Sequence, residues 1–219
     1  EAATLALAHA GWRVLIVGRD AQRGADVAQR AGNGAELVTA DLFSLADVRR
    51  LGRELASRAP ALDLLVNNAG GVLGAGEPTA DGLERTFALN VAAPYTLTET
   101  LVPALAAAKG RVINVVTSHG KGASAALDQV AGPSARGGLS GYARTKLVLL
   151  ALTQAQQRHH GAAGITFVAL HPGIIPGTRF GHSWNTFFNP FKTVAPFFAK
   201  VFRFGTTPEV AAARYVKLA

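Results

Sequence analysis

Apolar runs of strand length alternate with longer segments of helical period along the whole chain. The strand-like runs occupy residues 12–17, 35–40, 62–67, 111–116 and 165–170. Residues 44–58 illustrate the helical segments, because Ser44 precedes apolar residues that recur every three or four positions. Strands that alternate with helices predict a parallel sheet covered on both faces, and continuous apolar runs suit strands buried on both sides.

The pattern therefore predicts an α/β fold with a doubly wound parallel sheet, Rossmann-like and built in three layers. With 219 residues, of which 49% are hydrophobic and 16% charged, the chain suits one well-filled domain covering residues 1–219. It has no uninterrupted apolar run of membrane-spanning length and no signal-peptide pattern at its start. A cytoplasmic location is the expectation that follows.

Composition narrows the chemistry further. The sequence contains no Cys, which excludes disulfides, thiolate catalysis and Cys-ligated metals. Its 6 His residues are scattered or adjacent on a helix, so no metal site is expected. The formal net charge of +8 is spread along the chain without a dense basic run, which favours attraction of small anions over nucleic-acid binding.

Polar, small or turn-forming residues follow every predicted strand. The five strands lead into the sequences GRD, DLF, NNAGG, TSHG and HPG, in chain order. In parallel α/β sheets, ligands bind at the carboxyl ends of the strands. These five segments are therefore the predicted site.

The first strand end indicates which nucleotide would bind there. Gly18 occupies the place where a carboxylate would hold a ribose 2′-hydroxyl, and Arg19 follows it. A guanidinium favours a 2′-phosphate and hence NADP over NAD, unless Arg19 merely forms a salt bridge with Asp20. Asp41, after the second strand, either accepts from an adenine amine or caps the following turn.

Tyr142 and Lys146 form a candidate acid/base pair. Residues four apart share one helix face, and a fixed ammonium at about 5 Å would lower the pKa of a phenol by about two. The alternative is a pair that simply shares a surface.

Ala69, Gly70 and Gly71 carry almost no side chain, so their backbone can pass close to a ligand.

Five motifs in order resemble one family over essentially the whole chain. They lie at residues 67–70 (NNAG), 87–105, 111–118, 142–146 (YARTK) and 171–173 (HPG). Their order and spacing are similar to those of the short-chain dehydrogenase/reductase family, in its retinol dehydrogenase-like and protochlorophyllide reductase-like branches. The resemblance implies NADP(H)-dependent hydride transfer coupled to proton transfer.

The resemblance also implies catalytic roles. Tyr142 would be the general acid/base, while Lys146 would lower its pKa and bind the nicotinamide ribose. Asn90 would hold a water behind Lys146, with a purely structural bond at a helix kink as the alternative. The family's serine position falls on Thr117, and Ser118 comes next, so both hydroxyls stay candidates.

The residues expected to contact the cofactor come from four of the five strand ends and from the segment that carries Tyr142 and Lys146. They are Arg19, Asp41, Leu42, Asn68, Ala69, Gly70, Tyr142, Lys146, Pro172, Gly173 and Thr178. The family's first strand and glycine-rich turn would precede Glu1. The chain is accordingly interpreted as an N-terminally truncated fragment.

Residues 174–205 are expected to cover the substrate. The segment is rich in aromatic side chains, namely Phe180, Trp184, Phe187, Phe188, Phe191, Phe197, Phe198, Phe202 and Phe204. They suggest a hydrophobic carbonyl or alcohol substrate, or else a core, a dimer surface or a peripheral membrane contact. The family resemblance implies a homo-oligomer. The rival hypotheses are a catalytically silent dinucleotide-binding sensor or scaffold and a light-driven tetrapyrrole reductase, the latter disfavoured by the lack of Cys.

Overall fold

The computed structural model describes residues 1–73, 76–117, 131–132, 138–173 and 206–219. They form two compact units, one made of Glu1–Leu37 with Pro172–Ala219 and the other of Val38–His171. Ser118, Thr178 and the predicted substrate-covering segment 174–205 lie outside the described residues. The prediction of a single domain stays a prediction.

Each predicted strand is present. β1 spans Leu15–Gly18, β2 Glu36–Thr39, β3 Leu64–Asn67, β4 Arg111–Val115 and β5 Thr166–Leu170. β1 and β2 form a two-stranded sheet, while β3, β4 and β5 form a parallel three-stranded sheet in that order. β1 begins later than predicted because the Trp12 amide donates to the Leu7 carbonyl and belongs to the turn after the first helix. The doubly wound α/β fold predicted from the alternation is confirmed.

The unit Val38–His171 contains the central helices. They are α3 (Leu45–Arg58), the short α4 (Arg85–Phe87) with a π-helical turn at Ala88–Ala92, α5 (Ala93–Ala108), and α6 (Gly138–His160), which a 3₁₀ turn follows. The predicted cap of α3 is formed, since the Ser44 side chain accepts from the Asp47 amide. Lys109 ends α5 in the left-handed conformation.

The core of this unit lies between the three-stranded sheet and these helices. Its fully buried apolar side chains include Leu51, Leu101, Leu105, Val112, Ile113 and Leu149. Each contributes about 1.5–3 kcal/mol by leaving water. Packing is close as well, since a Cβ on Gly52 of α3 would lie 2.6 Å from the Thr100 methyl of α5.

The other unit contains α1 (Ala2–His9), α2 (Ala21–Ala31) and α7 (Pro208–Leu218). The Asp20 side chain caps α2 by accepting from the Arg23 amide at 3.0 Å. Helices α1 and α7 pack against each other, with buried Leu7 on α1 and buried Tyr215 on α7. Within the part of the chain that the structure describes, no helix is both long and apolar enough to cross a membrane.

Candidate active site

Helix α6 carries Tyr142 and Lys146 on a buried face. Tyr142 is 8% exposed and Lys146 only 4%. The Lys146 ammonium donates to the Val115 carbonyl, the last residue of β4, with a 2.7 Å distance between Nζ and O. Its Nζ also lies 5.9 Å from the centroid of the Tyr142 ring. The helix thus directs both side chains to the carboxyl end of the central strand.

Burial sets the protonation of this pair. Desolvation raises the pKa of Tyr142 to about 12 and lowers the pKa of Lys146 to about 8. The expectation of a phenol pKa lowered by the lysine charge is therefore wrong. Both side chains are removed from water, which disfavours the charged form of each, and the ammonium is directed at a backbone carbonyl. Tyr142 consequently keeps its proton at neutral pH.

Asn90 lies fully buried in the π-helical turn before α5. Its Oδ1 accepts from the Gly71 amide at 3.0 Å, while its Nδ2 donates to the Gly71 carbonyl at 3.0 Å and to Thr145 Oγ1 at 3.1 Å. Both amide hydrogens are thus used in bonds of the structural kind considered as the alternative. Asn90 ties the loop after β3 to α6, and its water-holding role stays a prediction.

The loop after β3 offers its backbone to a ligand. Asn68, Ala69 and Gly70 are all exposed, as contact with a bound molecule requires. A Cβ on Gly70 would lie 2.8 Å from Asn90 Oδ1 and 3.2 Å from Lys146 Nζ. A side chain at this position would therefore displace the groups of the candidate site, which explains the need for glycine.

Three polar residues of the site region escaped the sequence analysis. Asn67 turns inward at 7% exposure, and its Nδ2 donates to Asn114 Oδ1 at 2.8 Å. The Asn114 Nδ2 in turn donates to Thr153 Oγ1 at 3.0 Å. An asparagine inside the apolar run of residues 111–116 was the available signal, because a buried amide requires hydrogen-bond partners.

The other predicted site residues of the unit Val38–His171 include Thr117, Asp41 and Leu42. Thr117 is half-buried and lies just beyond β4, while the alternative hydroxyl of Ser118 lies outside the described residues, so the choice between them stays open. Asp41 Oδ1 accepts from the Phe43 amide at 3.0 Å, which is the turn-capping alternative. Leu42 is half-buried in the same turn, and its cofactor contact stays a prediction.

Arg19 lines a cavity of about 220 Å³ in the unit that contains β1. The alternative of an Arg19–Asp20 salt bridge is not formed, and the Asp20 side chain instead caps α2. Within residues 1–73 and the other described ranges, Arg19 makes no ion pair at all. Its guanidinium is therefore available to an anion that enters the cavity.

Gly173 provides a second position where only glycine fits. Its φ is +94°, and a Cβ would lie 2.7 Å from the Thr206 methyl. Pro172, beside it, is half-buried, and Thr178 lies outside the described residues.

Across the described ranges, no group of three or more His, Asp or Glu side chains is arranged to hold a metal.

Sequence comparison places these features in a family. The model of the short chain dehydrogenase family matches residues 1–187. Polyprenol dehydrogenase of Mus musculus is 34% identical over 190 residues, which cover 81% of this chain and 56% of that protein. Retinol dehydrogenase 13 of Mus musculus is 30% identical over 218 residues, covering 95% of this chain and 64% of that one. The chain therefore spans less than two thirds of the length of these relatives.

Solved structures agree with the sequence comparison. The Pseudomonas aeruginosa RhlG/NADP active-site complex superimposes with a TM-score of 0.75 at 27% identity, over 99% of this chain and 83% of that one. A short-chain dehydrogenase from Sphingobium yanoikuyae in complex with NADPH gives a TM-score of 0.64 at 26% identity, over 80% of this chain and 66% of that one. With the family model matching most of its length, the chain belongs to the short-chain dehydrogenase family.

Proposed function

We propose that this chain is the core of an NADP(H)-dependent oxidoreductase that interconverts an alcohol and a carbonyl on a hydrophobic small molecule. The observation that carries the proposal is the buried Tyr142–Lys146 pair on α6 at the carboxyl end of β4. A phenol and an ammonium removed from water beside an exposed glycine loop suit proton transfer to a bound substrate.

The residues present fit a phosphorylated dinucleotide. Arg19 makes no ion pair within the described ranges and lines a cavity, which suits a 2′-phosphate. The exposed backbone of residues 68–70 suits close approach of a ligand. Two similar structures hold NADP or NADPH. The nicotinamide, when bound, supplies or accepts the hydride.

The chain itself supplies the proton. Because its pKa is about 12, Tyr142 is protonated at neutral pH and can donate from Oη to the carbonyl oxygen of a substrate. Lys146 would hold the nicotinamide ribose, and its ammonium would stabilise the phenolate that forms when the proton leaves.

A hydrophobic substrate is supported by relatives and by composition. The relatives named for polyprenol and retinol act on apolar alcohols by their names. Residues 174–205 are rich in Phe and are proposed to cover such a substrate. Formation of a homo-oligomer and peripheral contact with a membrane belong to the same proposal.

The test compares Tyr142→Phe with Tyr95→Phe. Tyr95 is a matched control, because it is 45% exposed on α5 and the chemical change is the same. Turnover of a panel of apolar aldehydes and ketones with NADPH should fall by about 10²–10⁴-fold in Tyr142→Phe only. NADPH binding should survive in both variants.

Two outcomes would contradict the proposal. Retained turnover in Tyr142→Phe would remove the acid/base role from this residue. NADPH binding by the wild type without turnover of any carbonyl or alcohol would instead favour a dinucleotide-binding sensor or scaffold.

A further inference from the structure

We infer that a buried chain of hydrogen bonds positions α6 along β4, and that Thr153 and Asn114 act as positioning residues for Lys146 and Tyr142. The inference deepens the proposed function and rests on it. It concerns Asn114 and Thr153, whose hydrogen bonds to each other and to Asn67 and Leu149 involve neither the phenol nor the ammonium.

The chain of bonds starts on β3 and ends on α6. Asn67 and Asn114 are register partners on the paired strands β3 and β4, and Asn67 Nδ2 donates to Asn114 Oδ1 at 2.8 Å. Asn114 Nδ2 donates to Thr153 Oγ1 at 3.0 Å, and that hydroxyl donates to the Leu149 carbonyl at 2.7 Å. Asn114 is 1% exposed and Thr153 is 3% exposed. The side chains are therefore out of reach of bulk water.

Two consecutive residues of β4 thus hold α6 at two points. The Asn114 side chain bonds to Thr153, and the Val115 carbonyl accepts from Lys146 at 2.7 Å. Thr153 and Lys146 are seven residues apart, so the two attachment points lie about 10.5 Å apart along the helix axis. Apolar contacts are non-directional and tolerate sliding, whereas hydrogen bonds weaken steeply with distance and angle. The helix cannot shift or rotate without weakening one of the two bonds.

This attachment matters for the chemistry because the groups at the site have little room. Lys146 is 4% exposed, and a Cβ on Gly70 would already lie 3.2 Å from its Nζ. A displacement of α6 by a fraction of an ångström would change the direction of the ammonium and of the Tyr142 phenol together. Misplacement of about 1 Å can reduce a rate by about 10²-fold.

Thr98 offers a matched control. It is 1% exposed on α5, and its hydroxyl accepts from Asn67 Nδ2 at 3.1 Å. It therefore accepts the same kind of buried amide bond as Thr153 but is not bonded to α6. A merely structural role predicts the same consequences for the loss of either bond, whereas a positioning role predicts a selective loss for Thr153.

The experiment compares Thr153→Val and Thr98→Val, which replace each hydroxyl by a methyl of similar size. We expect kcat for carbonyl reduction to fall by about 10- to 100-fold in Thr153→Val and to change less than about twofold in Thr98→Val. The dissociation constant for NADPH and the lowering of the melting temperature should be similar in the two variants. Equal kcat losses, or an unchanged kcat in Thr153→Val, would overturn the inference.

A second pair covers the case in which Thr153→Val does not fold. Thr153→Ser and Thr153→Ala both delete the methyl group and differ in whether the hydroxyl is kept. Turnover should be rescued in Thr153→Ser and lost in Thr153→Ala. Equal activity in these two variants would also overturn the inference.

A readout that needs no turnover separates this inference from the proposed function. The pKa of Lys146, followed by heteronuclear NMR, should rise from its value of about 8 in Thr153→Val because a loosened helix admits water, and stay in place in Thr98→Val. If the wild type shows no turnover but the pKa of Lys146 rises selectively in Thr153→Val, the proposed oxidoreductase activity is refuted and the positioning role is kept. An unchanged pKa of Lys146 in Thr153→Val would refute the positioning role alone.

Discussion

Lys146→Met should make the protein more stable at pH 7 while abolishing its activity. The lysine is 4% exposed, and burial lowers its pKa from 10.5 to about 8. Between these two values the unfolded chain binds a proton that the folded chain does not, so stability rises with pH across this window. The lowered pKa of Lys146 therefore reduces the stability of the folded chain by about 3 kcal/mol at pH 7 and by about 1 kcal/mol at pH 9.5.

Methionine removes this cost together with one hydrogen bond. Loss of the bond leaves the buried Val115 carbonyl without this donor and destabilises by about 1–3 kcal/mol, which leaves a net gain of up to about 2 kcal/mol at pH 7. Packing changes act equally at both pH values. The gain of the variant over the wild type should therefore shrink by about 2 kcal/mol between pH 7 and pH 9.5, whatever the packing term.

Urea unfolding followed by circular dichroism measures the free energy of unfolding of the variant and the wild type at both pH values. Buried Tyr142 and Tyr215 both have their pKa raised to about 12, so the stability that they contribute is lost only as the pH rises above about 10. The pair of pH values stays below that range. Lys217→Met is the matched control, since it makes the same chemical change at an exposed position of α7.

Two results would refute this reasoning. A gain that is the same at pH 7 and pH 9.5 would mean that the pKa of Lys146 is not lowered in the folded chain. A variant less stable than the wild type at pH 7 would mean that the hydrogen bond of the ammonium outweighs its desolvation.

Two further predictions concern residues that are proposed to bind the nucleotide. Gly70→Ala should lower turnover about tenfold and stability by about 1–3 kcal/mol, because the new Cβ would lie 2.8 Å from Asn90 Oδ1. Gly71→Ala is the control and should lower neither quantity, because its new Cβ would have no atom within 4 Å. Equal effects of the two substitutions in kinetic assays and urea unfolding would contradict this prediction. Arg19→Asp should weaken NADPH binding by about 10- to 100-fold relative to NADH binding in fluorescence titrations, since the 2′-phosphate would lose its cationic partner. An unchanged preference between the two cofactors would show that Arg19 does not bind the phosphate.

Much of the fold could be predicted because its signals are local in sequence. Strand and helix periods depend on neighbouring residues, and all five strands lie at or next to the predicted runs. Ser44 caps α3 as expected, because a cap acts within three residues. The motifs that resemble the short-chain family are likewise short segments in a fixed order, and the family model confirms the assignment.

The protonation of the site could not be predicted from spacing alone. Tyr142 and Lys146 do share a helix face, as their separation of four residues requires. The direction of each pKa shift, however, depends on how much water the surrounding elements exclude. Burial by strands and helices remote in sequence raises the pKa of the phenol, although the nearby charge alone would lower it.

The sequence by itself thus determined the order of strands and helices, the family, and the helix that carries the phenol and the ammonium. Only the tertiary structure decided the partners of the polar side chains, because those partners are remote in the chain. Lys146 bonds to a carbonyl 31 residues away, Asn90 to a hydroxyl 55 residues away, and Asn114 to Thr153 across 39 residues. Hydrogen bonding and desolvation depend on distance in space, which a pattern along the chain does not contain.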